Sequence, residues 1–138
     1  MRRRRAPGSR RLTTTTAKRD TRQRRAIRRV FMSVGRPLTP DEVLEHGQRI
    51  VPSLGLATVY RNVKILAREG WLCEVELPGG GLRYELADRP HHHHFLCGSC
   101  DQAFDFDRCP DEVEGLAPEG FEVDRHEMIL FGRCAACA

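Results

Sequence analysis

No stretch of eighteen consecutive apolar residues occurs in this chain, which excludes a membrane-spanning helix. The N-terminus carries arginines where a secretory signal would place an apolar segment, so a soluble, cytoplasmic protein is expected. Acids are nearly missing from the first 29 positions: Asp20 stands there alone against thirteen of the 23 lysines and arginines. The other 109 residues hold ten basic and eighteen acidic side chains, a balance of −8 that the overall +4 conceals. A basic start joined to an acidic remainder suits a nucleic-acid binder with a separate metal-binding or regulatory part. The segment MRRRRAPGSRRLTTTTA also reads as a solvated tail or a transit peptide. Beyond Met1, Leu12 is its only large apolar residue, too little for an amphipathic targeting helix, and residues 1–17 are expected to form a disordered basic tail.

At 138 residues there is room for one ordinary domain or two very small ones, and small domains often complete their cores with a metal or a partner. Six cysteines would suggest disulfides in a secreted chain. Here four of the six fall in two Cys-x-x-Cys pairs with no signal peptide, and metal ligation is the better reading.

The first half has the pattern of a DNA-binding module. Ile27, Val30, Phe31 and Val34 recur at i, i+3, i+4 and i+7, a helical stripe that Gly35 should stop. In LTPDEVLEHGQRI, Thr39 is placed as an N-cap, Pro40 at the first helical position and Glu42 to close a capping box. Val43, Leu44 and Ile50 should be the buried side of this second helix. In GLATVYRNVKILAREGW, Val59, Val63 and Leu66 make the inward stripe, Arg61, Lys64 and Arg68 share another face, and Gly70 is the stop. WLCEVEL, PGGG and LRYEL then read as a β-hairpin. Three helices and a hairpin make a winged helix-turn-helix over residues 18–87. Thr58, Tyr60, Arg61 and Lys64 on the last helix are placed to reach base edges and phosphates in a major groove. The alternative puts Tyr60 in the core and leaves the cations merely solvated.

The second half, residues 88–138, has the pattern of a metal-binding domain. Cys97, Cys100, Cys134 and Cys137 form C-x2-C-x33-C-x2-C, and four thiolates close a tetrahedron around Zn²⁺ with no position left for substrate, a structural site. Between the pairs, AFDF predicts a short strand, Pro110 to Leu116 a helical turn and FEVDRHEMILFG a longer strand. Cys73 reads as a buried hairpin residue. Cys109, before Pro110, could be a spare ligand, a redox thiol or a packed side chain. HHHHFL, if extended, sends His92 and His94 one way and His91 and His93 the other. Glu85, Asp105, Glu112 and His126 are candidate partners, and imidazoles with carboxylates suit Zn²⁺, Fe²⁺ or Mn²⁺.

GLATVYRNVKILAREGWL, the hairpin with YEL, HHHHFLCGSC, AFDF and the terminal GRCAAC occur in an order that resembles the ferric uptake regulator family of bacterial metal-dependent repressors. The resemblance runs from about Arg19 to Cys137. It implies an α+β chain: an N-terminal winged helix and a small α/β dimerization domain, forming a homodimer on a palindromic DNA operator when metal is bound. The structural zinc then falls on Cys97, Cys100, Cys134 and Cys137, and the sensing site on Glu85, His92, His94 and Asp105. A further site falls on His91, His93, Glu112 and His126. Arg19 matches the family's minor-groove basic residue and Tyr60 its recognition-helix tyrosine. One departure stands out: many members supply a sensing-site histidine just before the second helix, and RPLTPDE offers Pro37 there.

The reading is a metal-responsive repressor with Zn²⁺ as the leading regulatory metal, and an iron or peroxide sensor as the alternative. A zinc hydrolase would need a substrate-binding segment that the chain has no unassigned length to supply. A zinc-clamped protein adaptor would leave the cations of the third helix without a role.

Overall fold

A computed structural model describes the backbone from Thr15 to Ala138 and the side chains from Arg22 onward. The expected tail therefore lies outside the described residues except for its last three, which open the first helix, and the side chain of Arg19 lies outside them too. Among the described residues no helix is long and apolar enough to cross a membrane.

Helix α1 spans Thr15–Val34, α2 Pro40–Gln48 and α3 Leu56–Arg68. The second begins as its sequence requires: the Thr39 hydroxyl accepts from the Glu42 amide, and the Glu42 carboxylate accepts from the Thr39 amide at 2.9 Å. It ends at Gln48, short of Ile50, which sits in the following turn and is exposed. Val51 and Leu54 are the buried residues there instead. Gly70 terminates α3 at φ +75°; its amide donates to Ala67 and that of Trp71 to Leu66, the paired bonds of a Schellman ending.

The stripes Ile27/Val30/Phe31 and Val59/Val63/Leu66 meet with Val43, Leu38 and Leu72 in one core. Asn62 is buried among them. Its amide donates to the Thr58 carbonyl at 2.8 Å and its oxygen accepts from Arg24, satisfying a polar group that would otherwise be costly there. Strands β1 (Leu72–Leu77) and β2 (Gly81–Leu86) pair antiparallel as the hairpin. Leu38 adds a one-residue bridge to Tyr84, exchanging two backbone bonds of 2.9 Å.

The second sheet has the order β4-β3-β5, with β3 at His93–Cys97, β4 at Ala103–Phe106 antiparallel to it and β5 at Ile129–Gly132 parallel to it. The long strand expected over FEVDRHEMILFG is only its last four residues; Phe121 to Met128 lie outside any strand. Phe121 and Val123 are exposed, so the alternation of that stretch has no apolar face to bury. The helical turn is a 3₁₀ turn at Val113–Leu116. A small core of Val75, Leu77, Leu96 and Ala103, with Ile129 against it, joins this sheet to the hairpin.

Candidate metal centres

Three groups of four ligand residues are assembled around β3, and within each group the ligand atoms lie within 4.8 Å of one another.

The first is Cys97, Cys100, Cys134 and Cys137, brought together because β5 runs parallel beside β3 and delivers the last Cys-x-x-Cys next to the first. The sulfurs of Cys100 and Cys134 are 3.8 Å apart. That is no disulfide, but it is the edge of a tetrahedron whose metal–sulfur distance is about 2.3 Å. Cys97 accepts the amide of Cys134 at 3.3 Å, and such backbone bonds bring its thiol down to about 6, into the ionised form that binds metal. Cys137 is pushed the other way by its thiol neighbours Cys134 and Cys100. Four sulfurs this close ionise together only around a cation, and the donor set fits zinc.

The second group is Glu85, His92, His94 and Asp105. Glu85, on the hairpin, is buried, with its two oxygens 3.0 Å from His92 Nε2 and 3.3 Å from His94 Nε2. His92 Nδ1 lies 2.8 Å from the Pro90 carbonyl. Donation of the Nδ1 proton there turns the Nε2 lone pair toward the site. Asp105 lies opposite His94 in the β3–β4 register, and its Oδ1 is buried without a hydrogen-bond partner. His94 Nε2 stands 3.6 Å from that oxygen, an ion-pair distance for a protonated imidazole but too long for a hydrogen bond. A buried carboxylate oxygen without one is costly unless a ligand completes it, which makes the group fit a divalent cation.

Burial would raise the Glu85 carboxyl, but the hydrogen bond from His94 and the adjacent imidazoles outweigh it and hold the carboxyl below its ordinary range. The Glu85 hydrogen bond raises His94 against its own burial. Burial and the Glu85 charge push Asp105 up, opposed by Arg89. Arg89 pairs with the other Asp105 oxygen and also reaches the Gly35 carbonyl at the end of α1. It was not singled out from the sequence, since its partners lie far along the chain. Cys73, half-buried across the hairpin with its sulfur 3.7 Å from Glu85, is raised to about 11 by burial and by Glu85.

The third group is His91, His93, Cys109 and His126. The resemblance implies Glu112 at the fourth position. The structure leaves Glu112 exposed as the residue before the 3₁₀ turn and turns Cys109 inward, 3.0 Å from His126. The alternation of the four histidines is as expected, with His92 and His94 on one side and His91 and His93 on the other. One cleft of about 390 Å³ touches Glu85, His92 and His94 as well as His91 and His126.

On α3, Tyr60 is 42% exposed and outside the core. Arg61 and Lys64 are exposed beside it, while Thr58 is half-buried and its hydroxyl lies 3.5 Å from Arg61. The family model described as Ferric uptake regulator family matches residues 15–131. The chain belongs to the ferric uptake regulator family. As a member it is a metal-responsive, DNA-binding transcriptional repressor and not an enzyme, and its four-cysteine cluster is typical of the family's structural zinc.

The ferric uptake regulation protein of Campylobacter jejuni is 30% identical over 122 residues, covering 85% of this chain and 78% of that one. The peroxide-responsive repressor PerR of Staphylococcus epidermidis is 31% identical over 122 residues, covering 86% and 81%. Among solved structures, FurB of M. tuberculosis, a zinc uptake regulator, is 29% identical with a TM-score of 0.52, covering 91% of this chain and all of that one (100%).

Proposed function

We propose that the chain is a zinc-sensing member, a homodimer that binds a palindromic operator when Glu85, His92, His94 and Asp105 hold Zn²⁺. In this reading residues 18–87 bind DNA, residues 88–138 form the metal-binding dimerization domain, and Cys97, Cys100, Cys134 and Cys137 carry a second, structural Zn²⁺. The observation that carries it is the Glu85–His92–His94–Asp105 group, which joins the hairpin to the second sheet and leaves a buried carboxylate oxygen for a cation to complete. Two imidazoles and two carboxylates make a four-ligand set, which suits Zn²⁺. Pro37, buried before α2, supplies no fifth ligand for iron or manganese. The likeness to FurB supports zinc, while those to the Campylobacter and Staphylococcus proteins keep iron and peroxide as the second reading.

Dimerization through the second domain is supported by the open edge of β5, with Leu130 and Phe131 exposed on it, a surface suited to a partner's apolar side chains. The test of the metal is operator affinity titrated against free Zn²⁺, Fe²⁺ and Mn²⁺. Zinc should restore binding at the lowest free concentration, and restoration by Fe²⁺ or Mn²⁺ with zinc inert would overturn the reading.

Thr58, Tyr60, Arg61 and Lys64 would contact the operator, with Arg19 reaching a minor groove. Tyr60→Ala and Arg61→Ala are expected to lower operator affinity by about 1–3 kcal/mol each and to erase preference over random DNA. Dimer and zinc content should be unchanged. Removing residues 2–11 should instead weaken all DNA binding alike and reduce its salt slope; a changed sequence preference in the truncation would mean that the tail reads bases.

Arg89 offers a separate test, because its guanidinium pairs with Oδ2 of Asp105 and so sets a positive charge beside the carboxylate whose Oδ1 faces the site. Arg89→Ala is expected to tighten zinc at the sensing site by about tenfold, because the repulsion between a neighbouring guanidinium and the cation is removed. Competition with a chromogenic chelator measures it, and weaker or unaltered binding would remove Arg89 from the site's energetics.

A further inference from the structure

The third group differs in chemistry from the other two. His93 opens β3, with His91 two residues before it. Because β4 is antiparallel to β3, the chain leaving Phe106 emerges at the start of β3 and carries Cys109 there. Because β5 is parallel to β3, the chain entering Ile129 arrives at the same end from the other flank and carries His126. Topology alone thus brings three separate stretches to one point.

Their contacts cannot all be made by protons. His91 Nε2 lies 3.2 Å from His93 Nε2 and 3.2 Å from His126 Nε2, and His126 Nε2 lies 3.0 Å from the Cys109 sulfur. Each imidazole nitrogen holds one proton or one lone pair in the ring plane, so each can complete only one such bond. His91 Nε2 and His126 Nε2 each face two. Three ring nitrogens and a sulfur aimed at a common point within 4.8 Å of one another are arranged as ligands around a cation. They lie near the edge lengths of a tetrahedron with metal–nitrogen distances of about 2.0–2.1 Å and metal–sulfur of about 2.3 Å.

We propose that Cys109 supplies a thiolate to a His₃Cys zinc site with His91, His93 and His126, and that this site fastens the segment between β4 and β5 to the start of β3. A thiolate in place of a carboxylate shifts the preference from hard cations such as Mn²⁺ toward Zn²⁺ and Co²⁺. Glu112 is not a ligand. The segment so fastened, residues 107–128, contains one 3₁₀ turn and exposes Leu116 and Phe121, so it has little apolar burial of its own to hold it.

The full-length protein, washed with a weak chelator so that only the four-thiolate zinc remains, is titrated with Co²⁺. A thiolate-to-cobalt charge-transfer band should appear in the near ultraviolet. It should persist in a His92→Ala/His94→Ala double variant, which lacks the sensing ligands, and vanish in Cys109→Ser with circular dichroism unchanged. No band in the parent, or an undiminished band in Cys109→Ser, would overturn the proposal. In the unmodified protein, added Zn²⁺ should slow alkylation of Cys109, followed by peptide mass mapping, by about tenfold or more, since a ligated thiolate is withdrawn from attack. Alkylation at the same rate with and without zinc, or loss of the site in Glu112→Ala, would overturn it equally.

Discussion

Cys97→Ser or Cys134→Ser is expected to yield a chain that sediments as a monomer and has lost the structure of its C-terminal half. Residues 104–138 contain no fully buried side chain, and the small core beneath the sheet offers only Leu96, Ala103 and part of Ile129 from this half. Burying one leucine contributes about 1.5–3 kcal/mol, so this half has little apolar burial to set against the entropy of ordering its chain. A closed zinc site contributes about 10–16 kcal/mol, and one missing thiolate forfeits much of it. Sedimentation, far-ultraviolet circular dichroism and zinc content together read the result. A stable dimer without zinc would show that the four thiolates are dispensable to the fold.

His92→Ala, His94→Ala and Asp105→Ala should each give a folded dimer that keeps its four-thiolate zinc and no longer responds to metal. His92 and His94 line the cleft wall and none of the three belongs to either apolar core, so their removal leaves both cores intact. Losing one of four ligands should weaken the site by about 100-fold or more, at least as much as loss of a group that merely orients a ligand. Operator affinity against free Zn²⁺ should then be flat over the range in which the parent switches. His91→Ala and His93→Ala should shift that curve much less. Should those two be essential and His92 and His94 dispensable, the sensing face has been assigned to the wrong side of β3.

What could be read from the chain in advance was local. The capping box of Thr39 and Glu42, the Gly70 stop and the alternation of four histidines each depend on neighbours within a few residues, and all are present as expected. The four-cysteine cluster was readable because its two pairs share a spacing tied to one chemistry. What escaped was set by distance along the chain. Ile50 fits the periodicity of α2, but the helix ends two residues before it, where the turn buries Val51 and Leu54. The resemblance puts Glu112 at the fourth position and leaves Cys109 as a spare ligand, a redox thiol or a packed side chain; the strand order around β3 brings Cys109, and not Glu112, beside the three histidines. Arg89 and Asn62 answer to partners sixteen and 38 residues away, and no periodicity announces them.

The hairpin has a thermodynamic consequence for the whole chain. Leu72 and Tyr84 belong to the helical core, whereas Val75 and Leu77, on the same strand as Leu72, belong to the small core beneath the second sheet. Neither half can melt without stripping apolar cover from a strand that the other half also uses. Heating should therefore unfold the two halves together, in one calorimetric transition rather than two. A chelator acting only on the zinc of the C-terminal half should then lower the temperature at which the distant helices unfold.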